Sequence, residues 1–332
     1  MSFLHSRSSD DYRASCNVRI MGNIVEVVRG CNNRLKEFPV TRIDNEHYMI
    51  NSTGEIKKYN NSKNRVGNMK SIHRSIKNLR GLINTNFTGG SRELFVTLTY
   101  NQENGVMTDL TRLYNDFNYS IRLLRRDYPG LEYINVVEPQ RSGAWHCHVL
   151  MKFKTSVYID SNKDMPLYWK HGFCSVRRLN DVDNVGAYVT AYLTDLEYEV
   201  FKSLPGEKQV DVFNYYDKYF EKTVGNKRYI KGARLVLYPV GTNIYRCSRG
   251  IKKPLSYKGD YFDVLQDLSA LGKDNPDFSS VVDIKNESGE TIHNLYFDSY
   301  NLRGRVKTCS LSGSVCTFPL VCKKQYQLNE GG

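Results

Sequence analysis

The stretch GAWHCHVLMKF, residues 143–153, sets two histidines, His146 and His148, on either side of one cysteine inside a short apolar run. Side chains alternate with period 2 along a strand. His146, His148 and Leu150 therefore share one face, and Cys147, Val149, Met151 and Phe153 the other. The second set is wholly apolar and is predicted to pack on helices. The first presents two imidazoles about 6.5–7 Å apart along the strand, a gap that rotamers can close onto one cation. Just upstream, LEYINVVEP (131–139) has the composition of a strand, and the turn QRSG joins it to the histidine strand as an antiparallel hairpin. Glu138, near the end of that first strand, then lies beside the histidines as a third candidate ligand. Two imidazoles and one carboxylate suit Mn²⁺ or Mg²⁺ with a substrate phosphate, or zinc or iron, and leave positions open. A His-x-His pair in a strand is also compatible with two satisfied surface histidines.

Outward from the hairpin, strand and helix signals alternate. VGNMKSIHRSIKNLRGLIN (66–84) repeats Met69, Ile72, Ile76, Leu79 and Ile83 at helical spacing, and its other face carries Lys70, His73, Arg74, Lys77 and Arg80. That basic face is either solvated or turned to phosphates. ELFVTLTY (93–100) is predicted as a strand. TDLTRLYNDFNYSIRLLRRDYPG is predicted as a helix, capped by Thr108 or Asp109 and ended by Pro129 and Gly130. GFCSVRRL (172–179) is a further strand and 180–201 a further helix. The order predicts an α+β fold, one central antiparallel sheet backed by helices, with N- and C-terminal extensions. Residues 1–88 form a basic N-terminal region with strand-like pieces such as NIVEVV and HYMI, 89–250 the core domain, and 251–332 an appendage.

Charge and cysteines narrow the function classes. The 332 residues include 47 lysines and arginines against 35 acids, a net charge of +12, which favours a polyanionic partner. No apolar run approaches the roughly 20 residues of a spanning helix, and no secretory h-region opens the chain, so no membrane partner is expected. The eight cysteines are scattered, without a CxxC pair, and are read as reduced thiols with no zinc site signalled.

In GAYVTAYLTD, Tyr188 and Tyr192 are spaced i, i+4 on one face of the predicted helix. A phenol can act as a nucleophile when a nearby metal polarises the phosphate it attacks. Helical tyrosine pairs also serve simply as packing. Asp195 is a candidate accessory ligand or an exposed acid.

FVTLTY (95–100), HCH (146–148) and YVTAY (188–192), in that order, resemble the three motifs of the HUH endonucleases, most closely the two-tyrosine rolling-circle replication initiators of phages and small plasmids. The resemblance covers about residues 90–200 and extends more loosely to about 250. Cys147 stands where the family has a bulky apolar residue. Ala191 and Asp195 stand where relatives often carry lysine three residues after a tyrosine.

That resemblance implies a metal-dependent DNA endonuclease and strand transferase. His146, His148 and Glu138 would hold Mg²⁺ or Mn²⁺, and Tyr188 or Tyr192 would form a 5′-phosphotyrosine link to single-stranded origin DNA lying across the sheet face. Arg141, Arg177, Arg178, Arg74 and Lys77 are the candidate phosphate contacts. Host polymerase and helicase would be partners, since no GxxxxGK[ST] motif is present, and a bacterial host cytoplasm the location. The alternatives are a relaxase or single-strand transposase with the same chemistry, or a non-catalytic RRM-like nucleic-acid binder. The oligomeric state is not written in the sequence.

Overall fold

The computed structural model describes residues 15–30, 40–44, 46–58, 69–103, 105–140, 142–179, 185–186, 189–190, 195–209, 221–224, 226–230, 232–239, 241–285, 291–303, 309–311 and 314–316. In chain order the principal strands and helices are β1 (Ser15–Met21), β2 (Ile24–Gly30), β3 (Val40–Arg42), β4 (His47–Ile50), β5 (Ile56–Lys58), α1 (Met69–Asn86), β6 (Glu93–Thr99), α2 (Leu110–Asp127), β7 (Glu132–Pro139), β8 (Trp145–Lys152) and β9 (Cys174–Arg178). There follow β10 (Leu196–Glu197), β11 (Glu221–Val224), β12 (Lys227–Ile230), β13 (Tyr245–Cys247), β14 (Leu255–Asp260), α3 (Tyr261–Ala270), β15 (Phe278–Lys285) and β16 (Thr291–Asn301). No helix among the described residues is long and apolar enough to cross a membrane.

Contacts divide the chain into two compact units, Asn61–Lys253 and a second that joins Met1–Asn60 to Pro254–Gly332. In the second unit, strands from both ends of the chain share one sheet in the order β14-β1-β2-β16-β15. One face of that sheet buries Cys16, Val18, Val25, Val27 and Tyr300 against Tyr261, Val264 and Leu268 of α3. The Asp260 carboxylate caps α3 by accepting from the Phe262 amide at 2.9 Å. The Arg29 guanidinium lies between the rings of Tyr261 and Tyr296, 4.3 and 4.6 Å from their centroids. Helix α1, read from the sequence with the N-terminal region, belongs to the central unit.

The central unit is built on a sheet of order β13-β7-β8-β6-β9, with every neighbouring pair antiparallel. This is the predicted α+β arrangement. Helix α2 forms where predicted: the Asp109 carboxylate accepts from the Thr111 and Arg112 amides, and Leu113, Phe117, Ile121 and Leu124 are its buried stripe. Phe117 meets Tyr133 of β7 edge to face at 5.2 Å, so α2 covers the face that carries Cys147. On the opposite face Lys152 bonds the Asn86 carbonyl, and Glu93 accepts from the Thr88 and Gly89 amides at 2.8 and 2.7 Å. The C-terminal end of α1 therefore lies over the histidine face.

The predicted helix over 180–201 is interrupted. Among its described residues, 185–186 and 189–190 are helical, but Leu196 and Glu197 pair as a strand with β12, and a single helical turn follows at Tyr198–Lys202. Leu196 is buried and pairs with Ile230, and this tertiary burial overrides local helix propensity.

At the end of β6 the chain returns so closely that only glycine fits. Gly172 has φ +153°, and a Cβ there would strike the backbone of Thr99, Tyr100 and Asn101. Gly172→Ala is expected to destabilise the central unit by about 1–3 kcal/mol or more, read as a lowered midpoint in thermal unfolding.

Candidate metal centre

Strand register brings the site together. Glu138 of β7 lies directly opposite His146 of β8, and Val136 opposite His148. On the other side of β8, Thr99 of β6 opposes His146 and Thr97 opposes His148. Cross-strand partners point to one face, so both histidines, the carboxylate and two threonines converge. The hairpin turn is closed by the Gln140 amide on the Ala144 carbonyl, 2.8 Å, and by Gly143 at φ +84°. That turn fixes the register on which the convergence depends.

One ligand atom from each of Glu138, His146 and His148 lies within 4.8 Å of the others. Among the described residues they are the one group of three such side chains placed to share a metal ion. His148 and Glu138 are 1% and 4% exposed, whereas His146 is half-buried and faces the outside of the site. The set is therefore anchored on its inner side and accessible through His146. Two imidazole nitrogens and one carboxylate oxygen fit a divalent ion and leave coordination positions for water or a phosphate oxygen.

Each ligand is itself held. Thr97 Oγ1 is 3.1 Å from His148 Nδ1, and Phe95 stacks on the His148 ring with centroids 5.7 Å apart and planes 2° from parallel. His148 Nε2 bonds one Glu138 oxygen, and Arg234 Nη1 pairs with the other. A cation that displaces the proton from Nε2 leaves it on Nδ1. There the Thr97 hydroxyl can accept its hydrogen bond. His146 Nδ1 lies 2.9 Å from Gln140 Nε2. A half-turn of that amide presents its carbonyl to Nδ1–H instead and frees His146 Nε2 for a ligand role.

The electrostatics favour the protonation states a metal needs. Burial opposes the Glu138 charge, but the His148 hydrogen bond and the fields of His148, Arg234 and His146 outweigh it and hold the carboxyl below its ordinary value. Burial chiefly, with His148 and Arg234 adding, lowers the His146 pKa against the pull of Glu138, so the imidazole stays neutral.

The other predicted residues are placed as follows. Tyr188, Tyr192 and Arg141 lie outside the described residues. Beside the tyrosines, Val185 and Val189 are buried, and the Gly186 amide donates to Asn84 Oδ1 of α1 at 2.7 Å. Asp195 stays apart from the triad: its carboxylate accepts from the Gly232 amide at 3.2 Å, and its carbonyl from Arg234 Nε at 3.3 Å. It thus positions the arginine that holds Glu138. Arg74 and Lys77 are exposed on α1, and Arg177 is exposed on β9. Arg178 donates to the Ser91 and Val157 carbonyls at 2.8 and 2.7 Å. Sequence reasoning missed Arg234, Thr97 and Gln140 as supports. Thr97 had a findable signal, because it sits in the strand beside the histidines. Arg234 had none, because it arrives from a distant segment.

A family model described as a replication-associated protein matches residues 93–197, from the first residue of β6 to the end of β10. The matched span contains all three candidate ligands, and the similarity supports a protein of the replication-initiator type. No curated protein and no solved structure matches the chain.

Two outcomes are expected. A group whose pKa is lower folded than unfolded adds stability that is complete above the unfolded value and lost as pH falls. In metal-free buffer, unfolding free energy should fall as pH drops through the ordinary histidine value of 6.5, and again below the ordinary carboxyl value of 4.5. His146→Gln should reduce the upper loss in urea unfolding and leave the lower. Separately, Thr97→Val should weaken Mn²⁺ binding by about 10–100-fold in calorimetry, the usual cost of removing an outer partner of a ligating histidine.

Proposed function

We propose that this protein initiates rolling-circle replication by nicking and rejoining one strand of origin DNA. The observation that carries the reading is the Glu138–His146–His148 cluster, on adjacent strands inside the segment similar to replication-associated proteins. The ordered motifs noted in the sequence support it.

In this reading the phenol oxygen of Tyr188 or Tyr192 attacks the scissile phosphorus. A bond forms from phosphorus to the tyrosine oxygen, the bond to the 3′ oxygen breaks, and that oxygen leaves as a hydroxyl carrying a proton. The 5′ phosphate stays joined to the enzyme. The ester conserves the phosphodiester energy, so rejoining by attack of a 3′ hydroxyl needs no ATP. The second tyrosine can accept the strand at the next round. A divalent ion, Mg²⁺ or Mn²⁺, held by Glu138, His146 and His148 would supply positive charge to orient the phosphate and to stabilise its transition state. Thr97 and Arg234 keep His148 and Glu138 oriented for that task. Exposed Arg177, Arg74 and Lys77, with Arg141, would track phosphates and make binding salt-dependent. Host polymerase would extend the 3′ end, and supercoiling or a host helicase would unwind the duplex, in a bacterial cytoplasm.

The test is incubation with Mn²⁺ and single-stranded DNA from the protein's own replicon, followed by denaturing electrophoresis. A protein–DNA adduct is expected from the wild type and should vanish in the Tyr188→Phe, Tyr192→Phe double variant. EDTA or His148→Ala should lower its formation by at least about 10²-fold, the scale of lost transition-state charge stabilisation. Cleavage without an adduct would replace the tyrosine by water. Absence of both cleavage and adduct on every replicon fragment would reject nicking altogether.

A further inference from the structure

Among the described residues, the face that carries the triad is buried over its middle and is open on the β9 side of His146. Phe95, Leu150, Ile134, Val136 and His148 on that face are buried, whereas Thr97, Thr99, Ser175 and His146 are half-buried. The half-buried residues form a polar strip that runs from His146 across β6 to the edge strand β9. Thr97 opposes Ser175 in the β6–β9 register, which puts Ser175 on the triad face. Period-2 alternation then puts Phe173 and Arg177 on the same face, at the outer end of the strip.

Phe173 is 72% exposed. It is nevertheless held on a fixed backbone. Its carbonyl accepts from the Thr99 amide at 2.9 Å, the His171 carbonyl accepts from the Asn101 amide at 2.8 Å, and the Trp169 indole donates to the Thr99 carbonyl at 3.2 Å. Gly172, the residue before Phe173, lies against the backbone of Thr99, Tyr100 and Asn101. A large apolar ring is thus presented to water at small entropic cost, in the row of His146 and Glu138. Two strand spacings separate it from His146, about 10 Å. Arg177, exposed two positions beyond Ser175 on β9, puts positive charge on the same edge.

We infer that Phe173 is the stacking platform for a base of single-stranded DNA, and that the strand reaches the metal centre over the β9 edge rather than across the whole sheet face. The inference rests on the nicking reading above and adds the path and a binding residue. An aromatic face takes any base, so Phe173 contributes affinity and position without sequence preference, while Arg177 neutralises phosphate. The half-buried hydroxyl of Thr99 lies between the ring and His146, and that of Ser175 beside the ring along β9, as floor contacts for sugar or phosphate.

The test uses the full chain in EDTA, so that binding is read without cleavage. A fluorescein-labelled oligothymidylate and an abasic strand of the same length are titrated by anisotropy at fixed salt. Phe173→Ala should weaken oligothymidylate binding by about fivefold to a hundredfold, the range for one lost base stack, and Phe173→Trp should hold it within about twofold. On the abasic strand the wild type and Phe173→Ala should bind alike. An unchanged thermal midpoint checks that the alanine variant folds. If the wild type binds and Phe173→Ala binds equally well, the platform is overturned and the nicking reading stands. An equal loss on both strands overturns stacking in favour of a general surface effect. If the wild type binds neither strand, both readings fall together.

Discussion

The register of β7 against β8 is the constraint on which the site depends. Glu138 faces His146 only because the Gln140–Ala144 turn closes the hairpin where it does. A slip of one residue would turn both histidines into the α2 side of the sheet and bring Cys147 to the site face, since side-chain direction reverses with every residue. Burial opposes such a slip. Cys147, Val149 and Met151 are fully buried on the α2 side, where two imidazoles would be packed among largely apolar side chains.

A second constraint follows from where the carboxylate sits. Glu138 is buried, and a buried charge without partners is costly enough to be neutralised or expelled. Here one oxygen faces His148 and the other Arg234, and Arg234 is in turn fixed by the Asp195 carbonyl. Asp195 and Arg234 are therefore part of the site although neither is one of the three candidate ligands. Breaking that chain of contacts leaves a charge stranded, so the supports matter for stability as well as for any ion bound there.

The two faces of the central sheet are treated differently. The α2 face is largely apolar, with Phe117 and Tyr133 at its contact. The triad face is covered over its middle and opens toward β9, where hydroxyls replace aliphatic side chains. That polar, half-wet strip fits the proposed single-stranded DNA substrate, whose phosphates would meet hydroxyl donors there.

Much of this was legible in the sequence. Period-2 alternation in 145–152, the strand composition of 93–99 and 132–139, and the 3.6-residue stripe with its Asp109 cap in 110–127 are local signals, written within a few residues of each other, and each matched its element. His146, His148 and Glu138 were readable for the same reason: a two-strand hairpin is short enough for spacing to predict proximity. Tertiary structure alone decided what comes from afar. The pairing of Leu196 with Ile230, which ends a helical pattern, the arrival of Arg234 at Glu138, and the joining of both chain ends in one sheet depend on contacts between distant segments. So does the exposure of one corner of the site face. Local periodicity says which side of a strand a residue takes, but only the packed fold decides what covers that side.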